Sequence, residues 1–313
     1  MEAENQVSLQ EQKKRKRMAK LRNTWQLWIM ALPAVVLIAI FNYVPMYGIQ
    51  LAFRDFVYGG GILDGPWVGL KYFEQFFNSP MFGNVMINTI RLSLATLVFG
   101  FFAPILLALV LNQLMNSRVK NAMQTVVYLP HFISVVVMVG MIKVFLMPES
   151  GLLSNLLVHF GFGNNLLGEP GAFVPIYVIS DIWQHCGWNS IIYLAALSNV
   201  DTQLYEAAKI DGASRFRIIL SVELPAIVPT IVILLILNMG GILNSSFEKT
   251  YLLQNTLNMS VSETIATYTY KIGILQTQFS YSTAIGLFNT VINFICLMLT
   301  NTVSKAISET SLW

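Results

Sequence analysis

The chain has 313 residues, of which 55% are hydrophobic and only 11% charged, against roughly 25% charged in an ordinary soluble domain. That balance argues against a soluble enzyme and for a polytopic membrane protein, because several spans of about 20 residues each would account for most of the length. Net charge is a modest +3, which gives no reason to expect a nucleic-acid partner.

The basic excess is concentrated in Lys13, Lys14, Arg15, Lys16, Arg17, Lys20 and Arg22, and a basic cluster beside an apolar run sets membrane topology. The apolar stretch 25–44 is longer than the 7–15-residue core of a signal peptide and no small-residue cleavage site follows it, so it is expected to stay as an anchor. Six apolar stretches of spanning length follow in order, at 25–47, 84–111, 122–145, 173–197, 224–243 and 283–303. In lipid the backbone must satisfy its own hydrogen bonds, so each is expected to be a helix.

With the first terminus inside, thirteen Lys and Arg fall on the cytoplasmic side. Six (Arg54, Lys71, Arg91, Lys143, Lys249 and Lys271) fall outside. This asymmetry places both termini in the cytoplasm. The expected fold is therefore all-α and integral to the membrane, with one permease domain over 25–307 between a basic tail (1–24) and a short tail (308–313).

The connecting segments differ in character. Residues 54–79 carry Gly59-Gly60-Gly61, Pro66 and Trp67, which suggests an ordered segment with turns and a short interfacial helix near 72–77. Residues 245–282 are polar and rich in tyrosine, too interrupted to be a seventh span. Cys186 and Cys296 show no pairing pattern, and His131, His159 and His185 have no ligand spacing, so neither a disulfide framework nor a metal site is expected.

Between the fourth and fifth apolar runs lies a charged island at 204–225. Asp201 or Thr202 can cap a short helix over 203–209, on which Ala207 and Ala208 present a small-sided surface and Glu206 an anionic acceptor. Asp211-Gly212 reads as its stop, since glycine reaches positive φ without strain. A second helix over 213–221 would turn Arg215 and Arg217 to a polar side and Phe216, Ile218 and Ile219 to apolar neighbours. Pro225 would then open the fifth span.

The spacing Glu206-Ala207-Ala208, three residues, Gly212, nine residues, then Val222-x-Leu224-Pro225 resembles the EAA loop of membrane subunits of type I ATP-binding-cassette importers. Val222 stands where that pattern has isoleucine. Leu32-Pro33, Tyr43-Val-Pro-Met-Tyr47, the Asn88-Thr89 pair, Tyr128-Leu-Pro130 and Ala284-Ile-Gly-Leu-Phe288 extend the resemblance over nearly the whole chain, to carbohydrate permeases of the lipoprotein-associated subgroup. The resemblance implies a type I importer permease fold, and a cytoplasmic coupling loop at 201–225 whose Glu206, Ala207, Ala208, Asp211 and Gly212 dock on an ATPase. It also implies a second homologous permease subunit, two ATPase subunits holding ATP and Mg, and an external sugar-binding lipoprotein. The chain itself has no G-x-x-x-x-G-K-[ST] loop, so no cofactor and no catalysis are expected in it.

A sugar crossing hydrocarbon needs hydrogen-bonding groups and flat aromatic faces. The fourth span is the richest source, and Trp183, Trp188, Asn189 and Tyr193 are its candidates for the pathway, followed by Asn238, Asn244 and Asn289 elsewhere. Helical spacing sets Gln184 and Trp188 on one face and His185, Asn189 and Tyr193 on a neighbouring one. By depth, Asp181 would pair with Lys143 or Arg91. Two other readings stay open at this point, a self-contained secondary transporter driven by ions and a structural or signalling membrane protein.

Overall fold

A computed structural model describes residues 24–62, 64–244 and 246–308. The tails expected at 1–24 and 308–313 lie outside these except for Thr24 and Ser308. Secondary structure among the described residues is helical, apart from one isolated antiparallel bridge between Arg54 and Trp67. The chain divides into two compact units, Met1–Val68 and Gly69–Trp313.

In the first unit, α1 (Trp25–Ile38) continues through a π-helical turn at Ala39–Tyr43 and a 3-10 segment at Val44–Phe53. Together they form a 29-residue apolar helix long enough to cross a membrane. No residue of α1 is buried, and the helix is apolar on every side, the pattern of a membrane span. The chain then folds back on itself. The Val68 amide donates to the Phe53 carbonyl (2.8 Å) and Trp67 stacks on Phe53 at 5.5 Å, so the turn-rich segment expected after the first span is ordered here.

The second unit begins with α2 (Lys71–Phe77), the short helix expected near 72–77, and α3 (Phe82–Ala95), which runs through a π turn at Thr96–Gly100 into α4 (Phe101–Asn112). Next come α5 (Ser117–Tyr128), α6 (Val135–Phe145), the short α7 (Leu152–His159) and α8 (Pro170–Ser198). The charged loop gives α9 (Thr202–Ile210) and α10 (Arg215–Ile218), which continues through a π turn at Ile219–Glu223 into α11 (Leu224–Met239). Three short helices, α12 (Phe247–Leu253), α13 (Met259–Ser262) and α14 (Ile265–Tyr270), precede the last long one, α15 (Phe279–Ser308).

All six apolar stretches are helical, but they are not six equal spans. Among the described residues four helices, Trp25–Phe53, Phe82–Asn112, Arg215–Met239 and Phe279–Ala306, are long and apolar enough to cross a membrane. The stretch expected as a straight third span is instead two helices, Ser117–Phe132 and Val135–Phe145, bent by 96°. Pro130 lies in the 3-10 turn Leu129–Phe132 that closes the first arm, and Ser134 starts the second by accepting the Val137 amide (3.3 Å). A run of apolar side chains cannot show this, because both arms are equally apolar. The 29 residues of α8 reach about 44 Å, but polar side chains keep it below the apolarity of the other spans.

Of the four π turns among the described residues, three have a proline in common, and the fourth, Lys271–Leu275, has none. A proline in a helix has no amide to give the carbonyl four residues back and its ring crowds that carbonyl, so the backbone widens locally. The turns Ala39–Tyr43, Thr96–Gly100 and Ile219–Glu223 each contain the residue four before Pro45, Pro104 or Pro225. Pro33 and Pro229 lie in regular α-helix, so the widening is a local solution and not an obligatory one. Pro225 therefore sits inside the continuous helix Arg215–Met239 and does not open it.

Packing around α8 explains how a polar helix is held. Gly187 lies so close to α5 that a Cβ there would fall 2.0 Å from the Val127 carbonyl oxygen. Gln184 donates to the Ile133 carbonyl (2.7 Å) exposed by the break between α5 and α6, and Trp188 stacks flat on His131 at 4.4 Å. On another side Ile105, Ala108 and Leu109 of α4 pack with Tyr193 and Leu197 of α8 and Ile227 of α11. The polar segment after α11 is tied into the unit through the Asn88-Thr89 pair. Asn88 donates to the Ser260 and Glu263 carbonyls (2.9 and 3.1 Å), and the Ile265 amide donates to Thr89 (2.8 Å). This is how a stretch too polar for a span is nonetheless buried with its backbone satisfied.

Candidate functional site

The charged loop folds as a capped helix and a re-entry. Asp201 accepts the Gln203 amide (2.9 Å), which starts α9. At the other end the Gly212 amide bonds to the Lys209 carbonyl (3.1 Å) and the Ala213 amide to the Ala208 carbonyl (2.9 Å). Gly212 has φ +72°, the left-handed residue that this paired C-terminal cap requires. Glu206, Ala207, Asp211 and Gly212 are exposed and Ala208 half-buried. Ser214 caps α10 by accepting the Arg217 amide (3.3 Å). The second helix differs from expectation in two ways. It does not stop near Ser221, and Phe216 is 70% exposed, while Ile218 carries the apolar anchoring.

The loop is fastened from below by Glu223, which is fully buried. Its Oε1 accepts from Asn112 (2.6 Å), Gln113 (2.9 Å) and the Tyr205 hydroxyl (3.3 Å). Burial first, and then the nearby Glu223 charge, raise the Tyr205 phenol above its ordinary pKa. This keeps it a donor.

About 390 Å³ of cavity lies among α8, α11, the Thr96–Gly100 turn, α4 and the start of the segment after α11. Asn189, Tyr193, Asn238 and Asn244 line it, together with Ser93, Thr96, Asp181 and His185. Four of the seven pathway residues named from sequence thus share one cavity. Asn289 stands behind it, donating to Asn244 (2.9 Å), which also accepts from Asn293 (3.1 Å). Trp188 stands outside, on His131. Trp183 lines a different and apolar cavity of about 880 Å³ beside Met138, Phe145 and Ile179.

Asp181 meets neither Lys143 nor Arg91 as its partner. Its carboxylate pairs with Lys249 of α12 at 3.2 Å and lies 3.5 Å from His185. Lys249 is 1% exposed, donates to the Tyr177 carbonyl (2.9 Å), and places its ammonium 4.3 Å from the centre of the Tyr177 ring. Sequence reasoning missed Lys249 and Glu223 because each looked like an ordinary residue of a polar segment. The faint signal for Glu223 was its position, a carboxylate two residues before the proline of an apolar helix.

A polar cavity inside a bundle of apolar helices, with an exposed capped helix on a charged loop at one end of α8, defines a membrane transport component. The chain belongs to the family of binding-protein-dependent transport system inner membrane components, whose model matches residues 100–309. It is 43% identical over 309 residues to the polygalacturonan/rhamnogalacturonan transport system permease protein YteP of Bacillus subtilis (strain 168), covering 98% of this chain and 96% of that one. It is 39% identical to Protein LplB of the same organism, over 95% and 93% of the two chains. Among solved structures, a bacterial ABC transporter involved in the import of the acidic polysaccharide alginate superimposes with a TM-score of 0.85 at 38% identity, covering 94% of this chain and 99% of that one. The fold is therefore that of a type I ABC importer permease, which sets aside the ion-driven and signalling alternatives.

Proposed function

We propose that this chain is the membrane subunit of an ATP-driven sugar importer, that it forms half of the translocation pathway, and that a separate ATPase drives it through the loop 201–225. The observation that carries the coupling is the state of α9. It is capped at both ends and fixed through Tyr205, yet Glu206 and Ala207 are uncovered, and Leu204, Ile210 and Phe216 around them are 53%, 87% and 70% exposed. A rigid helix with an uncovered apolar and anionic surface suits a partner protein. Basic residues concentrated on the loop and ahead of α1 support a cytoplasmic position for that surface.

The relatives supply the cargo class. One is named for polygalacturonan and rhamnogalacturonan transport, and the alginate transporter is also known with an alginate pentasaccharide-bound periplasmic protein. A sugar chain is accordingly the proposed substrate, delivered by an external binding lipoprotein. Asn189, Asn238 and Asn244 would meet its hydroxyls, and Tyr193 and His185 would offer ring edges. A second homologous permease would supply the other wall, and two ATPase subunits would bind ATP and Mg and rock the helices between outward and inward access.

Two tests separate the parts of this reading. Extraction of the native complex in mild detergent should bring the ATPase with the chain. Glu206→Lys should reduce the co-purified ATPase at least tenfold, a loss of about 1.4 kcal/mol or more in docking. A chain that emerges alone, or a Glu206→Lys variant that takes up sugar normally, removes the coupling role. For the cavity, Asn189→Ala should lower sugar uptake about fivefold through the loss of roughly 1 kcal/mol of hydrogen bonding, with the ATPase still bound. Unchanged uptake takes Asn189 off the pathway.

A further inference from the structure

We propose that Glu223 is a positioning residue which makes the docking helix and two walls of the cavity move as one. The inference rests on the coupling role of α9 proposed above.

Three separate elements meet on one oxygen of this carboxylate. Tyr205 comes from α9, next to Glu206. Asn112 and Gln113 come from the end of α4, and Glu223 itself closes the π turn that leads into α11. Lys120 of α5 joins from outside by donating to Asn112 (3.4 Å). Both α4 and α11 reach the cavity, α4 through Phe101 and Pro104 and α11 through Leu234 and Asn238. From Glu223 to Leu234 is about 16 Å of helix, and from Asn112 to Pro104 about 12 Å. A displacement of α9 therefore has a short, stiff route to two walls.

A carboxylate is a costly way merely to fill this space. Glu223 is fully buried, and its second oxygen, Oε2, is also buried and has no hydrogen-bond partner among the described residues. Burial without full pairing is unfavourable, and a well-packed apolar side chain would be cheaper. What a carboxylate offers is two equivalent acceptors on one pivot. Oε1 is crowded with three donors, while Oε2 stands beside it, so the donors can redistribute between the two oxygens as the junction moves and α9 stays tied to α4 and α11 in both arrangements. The π turn beneath it, widened by Pro225, already departs from regular helix geometry, and such turns recur at functional sites. Coupling needs an element of this kind, with two discrete states that both ends can bias.

The test uses the native complex in detergent with N-ethylmaleimide as the probe. Cys186 lines the cavity and reports its accessibility once Cys296 is replaced by Ser. In the otherwise wild-type complex, ATP with vanadate should change the Cys186 labelling rate at least fivefold. In Glu223→Ala the ATPase should stay bound and hydrolyse ATP, while the labelling rate should change less than twofold with nucleotide. Glu223→Gln, which keeps an acceptor in the same place, should recover at least half of the response. Tyr205→Phe removes only the strut from α9 and should lose most of it without disturbing the fold. A residue that is only structural would lower the yield of complex and leave the response of the surviving complexes intact. An intact response in Glu223→Ala, or in Tyr205→Phe if the alanine variant does not fold, overturns the inference. If the unmodified complex carries no ATPase, it is the proposed coupling role itself that fails, and this outcome is read before any variant is compared.

Discussion

Replacing Lys249 with Met should destabilise the protein by about 3–5 kcal/mol, because it leaves the Asp181 carboxylate buried without its cation. Lys249 is 1% exposed and the Asp181 side chain 20% exposed, so water from the cavity reaches the carboxylate on one side only and replaces the missing ammonium in part. The loss extends beyond the ion pair. The Lys249 ammonium also occupies the Tyr177 carbonyl and the face of the Tyr177 ring, while the Tyr177 hydroxyl accepts the Ser246 amide (3.1 Å). One side chain thus fastens the segment after α11 to α8 at the rim of the cavity. Asp181→Asn in the Lys249→Met background removes the stranded charge, so the double variant should recover at least half of the loss. Thermal unfolding of the purified complex measures both, and the cycle isolates the pair. Equal midpoints for wild type and Lys249→Met would mean that the carboxylate is solvated from the cavity and that the ion pair contributes little.

That pair shows where sequence reading stops. Asp181 and Lys249 are separated by 68 positions, and only the return of the polar segment into the bundle brings them together. Depth along the spans pointed to Lys143 or Arg91, because depth carries no information about which loop folds inward. The charged island was legible for the opposite reason, since its cap at Asp201, its left-handed stop at Gly212 and its small-sided face depend on residues only a few positions apart. On α8 the helical period separated the Gln184–Trp188 face from the His185–Asn189–Tyr193 face. The first closes on the α5–α6 break and the second opens on the cavity. Period alone could not say which face was which, because both carry polar and aromatic groups. The bend between α5 and α6 was hidden similarly. Pro130 and Ser134 are visible in the sequence, but the apolar run crosses them without interruption.

The closeness of α8 to α5 sets the other large effect. Gly187→Leu should cost about 3 kcal/mol or more, at the top of the range for overpacking, and should abolish assembly of the complex. A Cβ at this position would lie 2.0 Å from the Val127 carbonyl oxygen and 2.5 Å from its carbon. Those are backbone atoms on a helix end, so no rotamer change relieves the clash and the two helices must separate. Separation would withdraw Gln184 from the Ile133 carbonyl and Trp188 from His131, leaving the break between α5 and α6 without its filling. Even Gly187→Ala should be harmful, whereas Gly140→Ala on α6, where nothing among the described residues lies within 4 Å of the added carbon, should leave the unfolding free energy unchanged or raise it by up to about 1 kcal/mol. The comparison of the two alanine variants measures the helix approach itself, free of differences in side-chain size. A Gly187→Ala complex as stable as Gly140→Ala would show that α8 can stand off from α5 without loss. The bend at Pro130 would then have to hold its shape through Ser134 and its own backbone alone.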